Sequence, residues 1–126
     1  MVLGMENVAT SPLEDTLARL ATAREAARLL ADDVRRQFGP RVRGIRLFGS
    51  AARGDWQATS DVDVLVLLDR VGDGDRDWIS GRAVRRGVLD AGIPLASITL
   101  AEEDLLRLRQ RERLFAREVD REGVPL

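Results

Sequence analysis

The sequence contains no cysteine and no histidine. Without cysteine, it has neither a disulfide framework nor a thiolate metal site. Without histidine, it also lacks the usual nitrogen ligand of zinc and the side chain that most often acts as a general base near neutral pH. Any metal or acid–base chemistry must therefore use carboxylates, whose oxygens prefer magnesium, manganese or calcium.

Lysine is missing too, so all 20 basic residues are arginines. This excludes Schiff-base chemistry and the phosphate loop that depends on lysine. A genome-wide codon bias is the ordinary explanation, and a selected use of bidentate phosphate or carboxylate recognition is the alternative. The formal net charge of −1 argues against extensive wrapping of nucleic acid, because such binding neutralises many phosphates.

Long apolar runs are also missing. The longest uncharged apolar run, Val64–Leu68, is far shorter than the roughly 20 residues that cross a bilayer. The acidic Glu6, and the lack of a basic residue before the first apolar stretch, do not fit a signal peptide. These observations predict a cytoplasmic protein without a membrane segment.

The length of 126 residues, with 44% apolar and 33% charged residues, is typical of one soluble globular domain. We expect a single domain over residues 1–126, in which 1–10 form a frayed start, 11–39 an N-terminal helix and 41–126 the core. The order of predicted elements is helix, strand, strand, helix, strand, helix. This order predicts an α/β (α+β) fold with a small mixed sheet of about three strands flanked by helices.

The first predicted helix has signals at both ends. Ser11 is a capping residue, Pro12 suits the first helical position, and Glu14 follows three residues after the cap. Gly39-Pro40 ends the helix. Apolar residues between these ends form one stripe, which either covers the sheet or faces a partner. The stripe consists of Leu13, Leu17, Leu20, Ala27, Leu30, Val34 and Phe38.

Hydrophobic alternation predicts three strands, and helical spacing predicts two further helices. After its first residues, the second strand is apolar on both faces, as expected of a central strand. Asp61 and Asp63 are the first two residues of one of these faces. A proline favours an edge position for the third strand. A capping box of Thr99 and Glu102 is predicted to open the last helix. The predicted ranges are strands Val42–Phe48, Asp61–Leu68 and Ile93–Leu100 and helices 77–91 and 101–121.

The segment with specific chemistry is Gly49-Ser50, followed after ten residues by Asp61 and Asp63. If the flanking strands are antiparallel, the end of the first lies beside the start of the second, and these groups meet at one sheet edge. Gly49 lets the backbone approach phosphate oxygens, and Ser50 adds a hydroxyl donor. The Arg53 guanidinium can bind the same phosphates through two parallel N–H hydrogen bonds. Asp61 and Asp63 project from one strand face and can share magnesium.

Each part of this motif also has an ordinary structural explanation. An isolated Gly-Ser pair is more often a plain turn, and an Asp-x-Asp is more often a solvated edge. Asp73, Asp75 and Asp77 alternate in a loop but lack the glutamate of a calcium hand, which disfavours a metal site there. Trp56 and Trp78 are expected to pack rather than to stack on bases. The joint occurrence of the glycine-serine pair and the paired aspartates favours the functional interpretation.

The joined motif resembles the signature of the polymerase-beta-like nucleotidyltransferase superfamily, especially its minimal nucleotidyltransferases. The resemblance covers residues 41–126 and is densest in the stretches 49–55 and 60–66. The stretch from Phe115 to Val124 resembles the last helix of the family and its exit. The resemblance implies the nucleotidyltransferase fold and the magnesium-dependent transfer of a nucleoside monophosphate from a nucleoside triphosphate, such as ATP, to a hydroxyl.

Carried over residue by residue, the resemblance implies that Gly49 and Ser50 bind the nucleotide phosphates. Arg53 matches a frequent position of the motif. Asp61 and Asp63 are implied to be the metal ligands and catalytic residues. In small bacterial and archaeal members, the family often implies a HEPN-domain toxin as partner, which the nucleotidyltransferase neutralises by binding or by adenylylation. Self-association is left open, and a nucleic acid partner is not expected.

One departure from the family pattern bears on activity. The third carboxylate of the family normally lies on the third strand, where it completes the metal site and can take the proton from the acceptor. The corresponding run, Ile93–Leu100, has no acid. Glu102–Asp104 come just after it, where helix capping and the helix dipole explain acidic residues. Asp90 precedes the strand and lies late in a helix.

Two functions therefore remain open from the sequence. The first is an antitoxin-like enzyme that transfers AMP from ATP to a hydroxyl of a partner protein. The second is a catalytically impaired module that neutralises a HEPN-type partner by contact. A nucleic-acid polymerase or an antibiotic-modifying enzyme is disfavoured, because the chain has no room for a template-binding or substrate domain.

Overall fold

The computed structural model describes residues 11–49, 61–111, 121 and 123–126, with the side chains of the last helix described up to 108. The expected frayed start and the connection between the first two strands lie outside the described residues. Within them, the chain forms a long helix, two strands, a helix that ends in a π turn, a strand, a helix and a short strand.

Helix α1 spans Pro12–Phe38 and has the predicted ends. The Ser11 hydroxyl oxygen accepts a hydrogen bond from the backbone N–H of Glu14 at 3.1 Å, which satisfies one of the unpaired donors of the first turn. At the other end, Gly39 has a φ of 55°, a left-handed value that side chains resist.

The apolar stripe of α1 covers the sheet along only part of its length. From Leu20 to Phe38 its members are buried, whereas Leu13 and Leu17 are 67% and 55% exposed. The first turns of α1 thus carry two leucines that do not pack on the described part of the chain.

Four strands form one mixed sheet in the order β3-β2-β1-β4. Strand β2 is antiparallel to β1 and parallel to β3, and β4 is antiparallel to β1. The predicted mixed sheet is confirmed, and β3 lies at an edge as expected. The fourth strand was not predicted, because two residues that include a proline give no alternation to detect. The bounds are Val42–Phe48 for β1, Val62–Leu68 for β2, Leu95–Ala101 for β3 and Val124–Pro125 for β4.

The two faces of β2 pack against two different clusters of apolar side chains, as the alternation predicted. The first face joins the main core with α1, and its members are Val62, Val64, Val66 and Leu68. On the other face, Leu65 packs with Phe48 from β1 and with Ile98 and Leu100 from β3. Residues two apart on a strand share a face, so Asp63 lies on the side of Leu65, away from α1.

Helix α2 spans Asp75–Val84 and continues into a π turn at Arg85–Leu89, where a single regular helix over 77–91 was expected. Gly87 lies in this turn and is buried. A Cβ atom on Gly87 would lie 2.6 Å from the carbonyl oxygen of Ile93, so the turn packs its backbone directly on the start of β3. This tertiary contact coincides with the change from α-helix to π turn.

Helix α3 spans Glu102–Arg111 in the described residues. The predicted capping box was wrong, because Thr99 is a buried residue within β3 and pairs with Val66. Leu105 is buried, and the predicted continuation to 121 lies mostly outside the described residues. In the part of the chain that the structure describes, no helix combines the length and apolarity needed to cross a membrane.

Candidate functional site

The end of β1 and the start of β2 meet at one edge of the sheet. Phe48 pairs with Asp63 in the antiparallel register, and Gly49 follows immediately in a turn with a φ of 76°. A Cβ atom on Gly49 would lie 2.6 Å from Oδ2 of Asp63. The structure therefore brings Gly49 and the Asp63 carboxylate together, as the antiparallel arrangement predicted. Ser50 and Arg53, the other predicted phosphate ligands, lie outside the described residues.

The two aspartates differ in their exposure. Asp61 precedes β2 and is exposed, whereas Asp63 is half-buried on the face away from α1. Their spacing of two residues along an extended chain directs both side chains to one side. A ligand at this edge would therefore meet one exposed carboxylate and one that is half-buried.

The paired carboxylates suit the magnesium ion that the family implies. Magnesium takes only oxygen ligands and is commonly held by one or two carboxylates together with water and substrate phosphates. Asp61 and Asp63 supply that number of carboxylates at an edge where a phosphate can approach the backbone of Gly49. Among the described residues, no group of three or more acidic side chains is placed to hold a metal ion.

The third carboxylate has no counterpart on β3. Asp63 pairs with Ala96 in the parallel register, so an alanine occupies the position beside this carboxylate. Glu102 and its acidic neighbours cannot replace it, because β3 runs parallel to β2 and delivers them to the far end of the sheet. Ala101 pairs with Leu68, which is five residues or about 16 Å from Asp63 along the strand. Asp90 is engaged with Arg86 and its neighbour Arg85.

The acidic segment 73–77 has a structural role. Asp73 precedes α2, whereas Asp75 and Asp77, which were expected in a loop, lie in the first turn of the helix. Oδ2 of Asp75 accepts hydrogen bonds from Nη2 of Arg41 at 2.8 Å and from the backbone N–H of Gly72 at 2.7 Å. The hydrogen bond from Arg41 is the main reason that the pKa of Asp75 is lowered. Trp78, one turn into α2, packs edge-to-face on Phe38 with ring centroids 5.5 Å apart. These contacts fix the segment against α1 and agree with the expected packing role of this tryptophan.

One charged centre was missed by the sequence analysis. Asp33 of α1 is only 4% exposed and forms ion pairs with Arg36, Arg82 and Arg86. The hydrogen bonds from Arg86 contribute most to holding the pKa of this carboxyl far below its ordinary range, and those from Arg82 add to them. Its place three residues after Leu30 on the buried stripe was a signal that could have revealed it. Because Asp33 joins α1 to α2 and the π turn, it stabilises the fold on the side away from Asp63.

These features define a class of protein. A four-stranded mixed sheet with helices packed on it carries a glycine turn against Asp63, the second of the two aspartates at its edge. The chain belongs to the nucleotidyltransferase domain family, whose sequence pattern it matches over residues 27–120. The expected class of enzyme is thereby confirmed at the level of the family.

One similar protein comes from Methanocaldococcus jannaschii, and its name gives protein adenylyltransferase as its proposed activity. It is 32% identical to this chain over 79 residues, which cover 63% of this chain and 74% of that protein. Since nearly three quarters of the relative is covered, the similarity extends well beyond the short motif.

Two solved structures share the fold. A proposed nucleotidyltransferase from Sulfolobus solfataricus is 24% identical, with a TM-score of 0.50, and the match covers 97% of this chain and 90% of that one. A toxin–antitoxin structure with AMP-PNP is 22% identical, also with a TM-score of 0.50, and the match covers 76% and 68% of the two chains. At these identities the likeness establishes the fold.

Proposed function

We propose that this protein transfers AMP from ATP to a hydroxyl group of a partner protein in a magnesium-dependent reaction, and that it thereby acts as an antitoxin. The observation that carries the proposal is the packing of Gly49 against the Asp63 carboxylate at the edge where β1 and β2 meet. It joins a backbone turn suited to phosphate with a carboxylate suited to the metal that phosphate binds.

The proposed roles follow from the chemistry of each group. The backbone at Gly49 approaches the phosphates, Ser50 donates its hydroxyl to them, and Arg53 adds a guanidinium. Asp61 and Asp63 bind the metal through their carboxylate oxygens. When bound, magnesium neutralises charge on the phosphates and on the pyrophosphate that leaves. Because Asp63 is half-buried while Asp61 is exposed, we assign the fixed position to Asp63 and the adjustable one to Asp61.

The proposed partner is a HEPN-type protein. The relative named as a protein adenylyltransferase supports a protein acceptor, and the toxin–antitoxin structure with AMP-PNP supports both a nucleotide and a paired chain. Leu13 and Leu17 at the exposed start of α1 offer apolar surface for such a chain.

A second candidate is a catalytically impaired module that neutralises the same partner by contact alone. The observation in its favour is Ala96, which stands beside Asp63 without a carboxylate to complete the metal site. A two-carboxylate site still binds nucleotide and metal, but it has no obvious group to take the proton from the acceptor hydroxyl.

The two candidates are separated by incubating the purified protein with magnesium, the candidate partner and ATP labelled in the α-phosphate. Adenylylation moves this label to the partner, whereas ATP labelled in the γ-phosphate leaves the partner unlabelled. Transfer should disappear in Asp61→Asn and Asp63→Asn and persist in Asp73→Asn, a matched control in the exposed part of the acidic segment. If the partner is neutralised equally well by both site variants, the contact-only function is correct and the transfer proposal is wrong.

A further inference from the structure

We propose that Gly49 positions the Asp63 carboxylate, so that this glycine acts on a metal ligand directly and not only by admitting phosphate. The inference rests on the metal-binding role of Asp63 in the proposed function. It concerns what the glycine contacts within the protein itself, before any nucleotide arrives.

The contact is closer than any side chain permits. From a Cβ atom on Gly49, Oδ2 of Asp63 would lie at 2.6 Å, with Cγ at 3.6 Å and Cβ at 3.8 Å. Separations below about 3.0 Å between such atoms require one of them to move, since van der Waals contact between heavy atoms lies near 3.5 Å. Only the outer oxygen is this close, so a substitution at Gly49 displaces the carboxylate and leaves the strand in place.

The displacement has a chemical consequence because Asp63 is the more constrained of the two aspartates. Its strand position is fixed by pairing with Phe48 on one side and Ala96 on the other. If the Asp63 carboxylate rotates, it no longer points to the same side as the Asp61 carboxylate, and the two cannot bind one metal ion together. Residues that orient metal ligands typically change metal affinity by about 10- to 100-fold when they are removed.

Backbone strain must be separated from this contact, and the chain supplies a matched control. Gly49 has a φ of 76°, and Gly74 has a φ of 80° with no atom within 4 Å of its Cβ position. Alanine at either position meets a similar positive φ, which residues with a side chain disfavour. Only alanine at Gly49 also meets a carboxylate.

The test compares Gly49→Ala with Gly74→Ala in the full chain, using Mn²⁺ alone and the electron paramagnetic resonance signal of the free ion. We expect both variants to lose similar stability to urea, and only Gly49→Ala to bind Mn²⁺ about tenfold more weakly. In an Asp63→Asn background, Gly49→Ala should weaken Mn²⁺ binding no further, because the ligand that it displaces is already gone. Unchanged Mn²⁺ affinity in Gly49→Ala, or equal losses in both glycine variants, would overturn the inference.

A measurement without metal distinguishes this inference from the proposed function. The ¹³C resonance of the Asp63 carboxyl carbon should shift in Gly49→Ala and stay in place in Gly74→Ala. If the wild-type protein binds no Mn²⁺ while this resonance shifts as expected, the positioning contact stands and the metal-dependent function fails. If the resonance does not shift, the positioning contact is wrong whatever the metal result.

Discussion

At the residue scale, Asp33 shows how far a buried charge depends on its partners. Three guanidinium groups surround one carboxylate that is almost completely removed from solvent. Removing the charge of a buried, paired carboxylate destabilises a fold, because the cations that paired with it are left without a counter-charge. The Asp33 side chain thus joins α1 to Arg82 of α2 and to Arg86 of the π turn.

Replacing Asp33 with asparagine should lower the free energy of unfolding at pH 7 by about 3 kcal/mol. Because the folded-state pKa of Asp33 lies below its unfolded value, its contribution is complete above the unfolded value and is lost as pH falls toward the folded one. Urea unfolding measured from about pH 6 to about pH 2 should therefore show a smaller acid-induced loss in Asp33→Asn than in the wild type.

Glu25→Gln is the control for this prediction, because Glu25 pairs with Arg28 on the exposed side of α1. Solvent screens that pair, so its removal should change stability very little. Equal pH profiles for wild type and Asp33→Asn would show that the buried cluster carries no net stabilisation.

Ala96 provides the second prediction at this scale. Paired positions on neighbouring strands lie about 4.8 Å apart, so an aspartate at position 96 would bring a third carboxylate next to Asp63. Ala96→Asp should raise Mn²⁺ affinity by about tenfold or more, since affinity of such sites rises with the number of charged ligands. If the protein is catalytically impaired as it stands, label transfer should rise as well.

Ala96→Asn matches the aspartate in size and lacks its charge. A gain in Mn²⁺ affinity that appears equally in both variants, or in neither, would mean that position 96 does not complete the site. Calorimetric titration of the three proteins gives the comparison directly.

At the scale of elements, the strands that flank the site were predictable and the turn before β3 was not. The alternation of Asp61, Asp63 and Leu65 with valines predicted both aspartates on one strand face. The structure places Asp63 within β2 on the same face as Leu65, which packs with Phe48 away from α1. The π turn coincides instead with a close approach of the Gly87 backbone to Ile93, whose N–H donates to the Gly87 carbonyl oxygen at 3.3 Å. No local pattern encodes such a contact.

Two glycines of the same segment give a matched test of that explanation. Gly87→Ala should destabilise the protein by about 1–3 kcal/mol, because the added methyl group overlaps the backbone at Ile93 and Leu95. Gly81 lies on the exposed side of α2 with nothing within 4 Å of its Cβ position, so Gly81→Ala should stabilise by about 0.5–1 kcal/mol. Thermal unfolding of both variants measures the difference, and similar shifts would contradict the packing account of the π turn.

At the scale of the whole molecule, the sequence predicted the class of fold but not the full strand arrangement. The connection between β1 and β2 is long enough for either strand direction, so the sequence left their pairing open. The antiparallel register that the structure shows places Gly49 beside Asp63. The parallel pairing of β2 and β3 needs the crossover through α2, whose direction no local pattern determines. That direction carries Glu102 to the far end of the sheet and leaves Ala96 beside Asp63.

The ion pairs described above use arginine alone as their cation, and this gives the molecule an unusual titration behaviour. Aspartate and glutamate titrate near pH 4 and arginine above pH 12, while histidine, cysteine, tyrosine and lysine are absent from the sequence. Contacts such as those of Arg41 with Asp75 widen this gap, because they raise the pKa of the arginine and lower that of the aspartate. By these ordinary values, no side-chain type in the sequence titrates between about pH 6 and about pH 12. A pH dependence of nucleotide transfer in that range would therefore come from the amino terminus, the partner protein, the phosphates or metal-bound water.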